Sequence, residues 1–411
     1  MTSPLPAARP SVTAPVVAGA VTAVVGFTSS FAVVLTGLAA VGASAQQAAS
    51  GLLVLCLTMG LGSLLFSWKL RMPVTMAWST PGAALLAAGS TPEGGFSTAV
   101  SGFLLAGILI ALCGLVRPLG RLVELIPGPL AQAMLAGVLL LLCTQPITAA
   151  AHSPAAILPV LATWLLLMRF ARRWAVPGAF AVAVVVMVVS GTFSRIDPTH
   201  LAPQLTLISP GWDPAGIVAI GVPLFLVTMT SQNIPGMAVL ATYGYRPKLG
   251  PALLYTGVAT AAGAPTGAHA INLAAISAAL SAGPGAGPDR DRRWIAGVTC
   301  GLLYLVVLGP ASAAAVALTQ AAPDGIMAAI AGLALIATFA SAAAGALADP
   351  GMRDAAAITF LVAASGLTIG GIGAAFWALV AGGLYLLVTH RRAAPPTPPA
   401  PAAPPGPDST D

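Results

Sequence analysis

The chain has 411 residues, 57% apolar and only 7% charged, with a formal net charge of +6 and a mean hydropathy of +0.93. A water-soluble domain of that length could not cover its surface with so few charges, so the composition excludes one and calls for a polytopic membrane protein held in a lipid bilayer. The basic excess is small and scattered and implies no nucleic acid, and the four cysteines lie in separate apolar runs, giving neither a disulfide framework nor a metal site; no cofactor is expected.

In chain order, residues 1–10 form an N-terminal cytoplasmic segment without the pattern of a removable signal peptide. Apolar runs that would span a bilayer as helices fall at 11–39, 46–68, 73–89, 96–116, 127–148, 153–170 and 176–193. A polar extracytoplasmic connection, 194–213, separates them from a second set at 214–243, 247–263, 265–283, 294–319, 324–347, 354–368 and 370–389. The fold expected is all-α, with about 14 transmembrane segments in a seven-plus-seven arrangement: a first repeat over 11–193 and a second, inverted one over 214–389. Residues 117–126 read as an amphipathic interfacial stretch, and the Pro/Ala-rich tail 390–411 as disordered and cytoplasmic. With the N-terminus inside, basic residues from Arg9 through Lys69, Arg71, Arg172, Arg290 and Arg353 to Arg392 all fall on the cytoplasmic side and only Arg195 falls outside.

Two segments are interrupted in matching positions. At Pro73–Ala88 a proline opens an extended stretch, with Thr80 as N-cap and Pro81 as first helical residue of a half-helix. At Pro265–Leu280 the same spacing places Asn272 as the cap of a half-helix over Leu273–Leu280. Segments 3 and 10 are therefore expected as a short extended strand plus a half-helix. Such paired breaks at mid-depth mark a transporter site, and helix N-termini favour an anion.

No Asp or Glu occupies the middle of any proposed span, so cation binding by buried carboxylates is not expected. His269 is the one ionisable side chain at mid-depth and the candidate proton-coupling group; its plainer role is a neutral ring bonded to backbone carbonyls. Read as a helix, Thr266, His269 and Asn272 share a face; read as a strand, His269 points away from the other two. In Thr228–Gly236, Ser231, Gln232 and Asn233 place uncharged hydrogen-bonding groups in an apolar span, suited to orienting a polar ligand or to bridging helices. Thr28, Ser29 and Ser30 are weaker candidates of the same kind, while Phe27, Phe31, Trp78, Phe225 and Tyr255 offer a ring-stacking wall, Phe31 and Trp78 foremost. The candidate substrate-binding set is thus Thr80, Pro81, Gly82, Ser231, Gln232, Asn233, His269, Asn272, Ser30, Phe31 and Trp78. No catalytic residue is expected, because no nucleophile and base, aspartyl pair or metal cluster is present for an intramembrane enzyme.

The run Leu224–Gly236, ending Ser-Gln-Asn-Ile-Pro-Gly, then Tyr243–Pro247, Ala270–Ile276 and the Pro-Gly-Ala-Ala-Leu of 81–85, resembles the BenE-type benzoate/proton symporters. The resemblance implies import of benzoate or a related aromatic carboxylate with a proton across a bacterial inner membrane. It also implies the inverted-repeat fold of nucleobase symporters and sulfate-type anion transporters. In that fold a core of spans 1–4 and 8–11 moves against a gate of spans 5–7 and 12–14. Where nucleobase symporters carry acidic residues in spans 8 and 10, this chain has Gln232, Asn233, His269 and Asn272, which suits a carboxylate better. The alternative on the same fold is a permease or exchanger for another small anion or a nucleobase-like substrate. The partners expected are the small-molecule substrate, a proton and the lipid bilayer, with a homodimer as the assembly.

Overall fold

A computed structural model describes residues 12–116, 127–192, 201–275, 277–369 and 372–389. The first half contains α1 (Thr13–Thr28), α2 (Phe31–Ala40), α3 (Ala45–Leu70), strand β1 (Met76–Trp78), α4 (Thr80–Ala87), α5 (Phe96–Leu115), α6 (Gly128–His152), α7 (Pro154–Phe170) and α8 (Ala175–Val189). In the second half α9 (Pro214–Thr228) runs through a π-helical turn at Met229–Asn233 into α10 (Ile234–Thr242). Then come α11 (Leu249–Gly263), strand β2 (Ile271–Leu273), α12 (Ala278–Ala282), α13 (Trp294–Leu303), a second π turn at Tyr304–Leu308, α14 (Ser312–Ala321), α15 (Ile326–Ala346), α16 (Arg353–Ala364) and α17 (Ala374–Thr389).

Each of the expected segments contains helix, but not all as full spans. Among the described residues 7 helices are long and apolar enough to cross a bilayer, taking α1 with α2 and α9 with α10, and the α13–α14 pair, bent by 61°, would make 8. The first segment is not continuous as expected. Thr28, Ser29 and Ser30 turn their hydroxyls back onto Val24 O and Gly26 O, competing with the helix ladder where α1 gives way to α2. The corresponding place in the second half is the π turn.

Packing sorts the helices into two bodies. In one, α5 lies against α11 and α9, α13 against α3 and α1, and α2 against α4; in the other, α6 lies against α15 and α16, α16 against α17, and α7 against α8. Small residues set these approaches: a Cβ at Gly257 would strike the Ala111 backbone across α5 and α11, and one at Gly332 the Leu142 carbonyl across α6 and α15. The described part of the connection, 201–213, runs over the first body, with Thr206 N bonded to Ser50 Oγ, Ile208 N to Pro265 O and Gly211 N to Ser97 O. The expected N-terminal segment, interfacial stretch 117–126, tail 390–411 and Arg195 lie outside the described residues.

β1 and β2 pair antiparallel in the register Met76↔Leu273, Ala77↔Asn272, Trp78↔Ile271. Ser79 N to Ala270 O (2.9 Å) and Ala274 N to Thr75 O (3.0 Å) extend the pairing. Backbone that leaves the helix inside an apolar body must find other partners, and each broken segment supplies them to the other. Two expectations are corrected here. Asn272 does not cap a half-helix over Leu273–Leu280; it sits inside β2, and the helix that follows is the short α12. Nor does Pro265 open an extended stretch, because Ala264–Thr266 form a 3₁₀ turn and the chain reverses at Gly267, whose φ of +89° favours glycine.

Candidate functional site

The start of α4 is set by Ser79, not by Thr80 as expected. Ser79 Oγ accepts from Gly82 N at 3.1 Å, and Ser79 O accepts from Ala83 N at 2.8 Å. Thr80 and Pro81 are then the first two helical residues, and Pro81 has no N–H to offer. Gly82 leaves room for the cap and for Leu224, since a Cβ there would come within 2.5 Å of the Leu224 side chain and 2.7 Å of Ser79 Oγ. Ser79 Oγ also accepts from Thr228 Oγ1 at 2.8 Å, which ties α4 to the end of α9 just before the π turn.

The π turn carries Ser231, Gln232 and Asn233. Asn233, expected to orient a ligand, has its Oδ1 accepting from Leu273 N at 3.0 Å and its Nδ2 3.5 Å from Met229 Sδ. It is a side-chain cap for β2. Ser231 Oγ is buried without a hydrogen-bond partner, and Gln232, 6% exposed, makes no hydrogen bond to another described residue. A π turn widens the helix and frees such groups, which is why these turns gather at functional sites.

Across the ladder, Asn272 Nδ2 donates to Leu273 O at 2.7 Å while Oδ1 is buried and unpartnered; Thr75 Oγ1 is likewise unpartnered. By strand alternation Asn272 lies on the opposite face from Ile271 and Leu273; Thr266 lies in the 3₁₀ turn and His269 before β2, so neither one helix nor one strand describes 266–272. His269 is fully buried, and neither ring nitrogen makes a hydrogen bond of ordinary geometry. Its ring meets the edge of Phe103 on α5, centroids 6.4 Å apart.

Beside the polar groups lies an aromatic cluster. Phe27 and Phe31 stack at 5.4 Å, Trp78 sits edge-on to Phe27 at 5.7 Å, and Trp78 Nε1 donates to Ser30 Oγ at 2.9 Å. Ser30, Phe31 and Trp78 are thus brought together as expected. Two members went unnoticed in the sequence: Tyr304 in the second π turn, 6.4 Å from Trp78, and Phe180 of α8, edge-on to Phe31 at 5.0 Å. Phe180 belongs to the second body and so bridges the two. Neither has a local polar neighbour that would have marked it, and Ser79 was hidden behind the stronger Thr-Pro capping signature. Tyr255 is elsewhere, donating to Thr58 O and packed on Phe66, and Phe225 makes no ring pair among the described residues.

A cleft of about 270 Å³ opens between the bodies at the other end of α4. Its walls include Leu85 and Glu93 from the α4 side, Ile220 of α9, Val138 of α6, and Ala363 and Ala375 of the second body. The polar groups above do not line it. Away from the cleft the bodies touch through Phe31 and Phe180, neither of which lines it.

Among the described residues no group of three or more His, Cys, Asp or Glu is placed to hold a metal ion. The sequence matches the family model described as "Benzoate membrane transport protein" over residues 9–388. It is 36% identical over 371 residues to "Inner membrane protein YdcO" of Escherichia coli (strain K12), covering 90% of this chain and 94% of that one. It is 32% identical over 329 residues to "Benzoate membrane transport protein" of Acinetobacter baylyi, covering 80% and 83%. The fold is that of two solved transporters. One is the transmembrane domain of the cyanobacterial bicarbonate transporter BicA, with TM-score 0.57, 15% identity and coverage of 90% of this chain and 97% of that one. The other is SLC26A9, with TM-score 0.60, 13% identity and coverage of 92% and 65%.

Proposed function

The chain belongs to the benzoate membrane transport family, and from that membership we propose that it imports benzoate or a related aromatic carboxylate with a proton, by alternating access. It is a membrane transporter and not an enzyme. The observation that carries the substrate is the presence of two kinds of group around one ladder. Ser231 Oγ, in the neighbouring π turn, and Asn272 Oδ1 are buried and unpartnered among the described residues, while Trp78, whose side chain the register sets on the face of the ladder opposite Asn272, belongs to the ring cluster with Phe27 and Phe31. A small ligand with one polar head and a flat apolar body matches that division. Thr80, Pro81 and Gly82 form the adjoining wall at the start of α4.

The cellular setting proposed is a bacterial inner membrane with both termini cytoplasmic, in keeping with the basic residues and with the name of the Escherichia coli relative. The cleft at Glu93 then opens to the outside, and the contact of Phe31 with Phe180 closes the inner path. The body holding α1–α5 and α9–α14 rocks against the body holding α6–α8 and α15–α17. A homodimer is proposed as the assembly, to be checked by the mass of the purified protein in nanodiscs.

The test is uptake of labelled benzoate into liposomes carrying the purified protein under an imposed inward pH gradient. Concentrative, gradient-dependent uptake is expected. Failure to move benzoate, with competition for the site by sulfate or urate, would replace the substrate and leave the fold reading in place.

A further inference from the structure

The buried polar groups at and beside the ladder include no fixed charge to meet a carboxylate. Among the described residues, His269 and Arg293 are the only buried basic or acidic side chains. Arg293 is tied to Gly287 O and Ala282 O, away from the ladder, and His269 packs against Phe103. The elements around the ladder otherwise bring only neutral titratable groups, Tyr255, Tyr304, Cys56 and Cys300, until α3 ends at Lys69.

The backbone donors that would replace a cation are already used. Ile271 N is bonded to Thr260 Oγ1, Leu273 N to Asn233 Oδ1 and Ala274 N to Thr75 O. At α4, Gly82 N and Ala83 N go to Ser79 and Pro81 has no N–H, which leaves at most the Thr80 amide. What remains among the described residues is a mixed set: the hydroxyls of Ser231 and Thr75, the His269 ring and the Gln232 amide as donors, and a buried acceptor, Asn272 Oδ1, with no donor. An orphaned buried acceptor asks for an O–H or N–H, and a carboxylate brings neither.

We propose, building on the aromatic-carboxylate reading above, that the species bound beside this ladder is the neutral carboxylic acid, its O–H donating to Asn272 Oδ1 and its carbonyl accepting from Ser231 or Gln232. The symported proton is then the substrate's own. It enters on the acid and is lost to water when the acid ionises after release inside, so no side chain of the protein need carry it.

The experiment is equilibrium binding to the purified full-length protein, with labelled benzoate, benzamide as an uncharged isostere of the acid, and benzenesulfonate as a permanent anion. An ordinary carboxyl titrates near pH ~4, so its neutral fraction falls about tenfold per pH unit above that. Benzoate affinity should weaken by that factor per unit between pH 5 and 8. Benzamide should compete equally at every pH, and benzenesulfonate should not compete. His269→Leu should keep the same slope, which separates the ligand's titration from that of the histidine, and Asn272→Leu should abolish the preference for benzamide over benzenesulfonate. A benzoate affinity independent of pH, or competition by benzenesulfonate and not benzamide, overturns the inference while the carboxylate reading stands. If none of the three binds the wild-type protein, that underlying reading falls and takes the inference with it.

Discussion

Asn233 and Gln232 are neighbours in one π turn, yet their surroundings assign them different work. Asn233 Oδ1 is the only acceptor given to Leu273 N, so Asn233→Leu leaves a buried N–H unpaired and should cost about 1–3 kcal/mol of stability. Gln232→Leu removes an amide with no side-chain hydrogen bond among the described residues and should leave the melting midpoint close to wild type while weakening benzoate binding. Melting and binding curves for the two variants check this; a Gln232→Leu protein with unchanged affinity would remove that residue from the site. Ser79→Ala deletes the cap of α4 and a bond from Thr228, for an expected loss of about 1 kcal/mol from the cap alone.

The elements that matter are the broken ones. β1 and β2 satisfy each other's backbone only when both segments are interrupted at the same depth, so neither break is stable in a bilayer without the other. The helices around them are held by close backbone contact. Gly257→Leu should therefore part α11 from α5 and abolish recovery of folded protein, whereas a leucine at Gly383 on α17, where a Cβ would meet nothing within 4 Å, should be tolerated. Yield and monodispersity after purification decide the comparison, and equal yields would refute the packing argument. Phe180 acts at this scale too, because it is the aromatic contact of α8 with α2.

For the molecule as a whole, the proposed cycle makes the cleft beside Leu85 and Glu93 the open side and the contact of Phe31 with Phe180 the closed one. Thr91 lines the mouth of the cleft and is exposed. In the proposed orientation a Thr91→Cys protein in intact cells should react with a membrane-impermeant maleimide above the background of the native cysteines. Labelling only from the cytoplasmic face would reverse the orientation. Phe180→Ala should loosen the closed side and raise the reactivity of cysteines placed at the cytoplasmic end of α1 without slowing labelling at Thr91.

Membrane character and a mostly helical fold were legible in the sequence, because run length and composition act locally; segment 10 was expected to break at a cap on Asn272, where the structure has a strand. The capping of α4 was read one residue late, since Ser79 and Thr80 are both capping types and only the hydrogen bond to Gly82 N distinguishes them. Asn233 and Asn272 both stand in the expected binding set, Asn272 also as a helix cap, and their bonding differs for a deeper reason. Which buried amide is consumed by the backbone and which is left for a ligand depends on what stands across the ladder, and that neighbour comes from 40 residues away in the one case, Asn233 to Leu273, and from the other half of the chain in the other, Ala77 to Asn272. The sequence by itself determined membrane character and a mostly helical fold; the tertiary structure alone decided how the exposed polar groups were shared out, because hydrogen-bond satisfaction is a property of the packed pair and not of either residue.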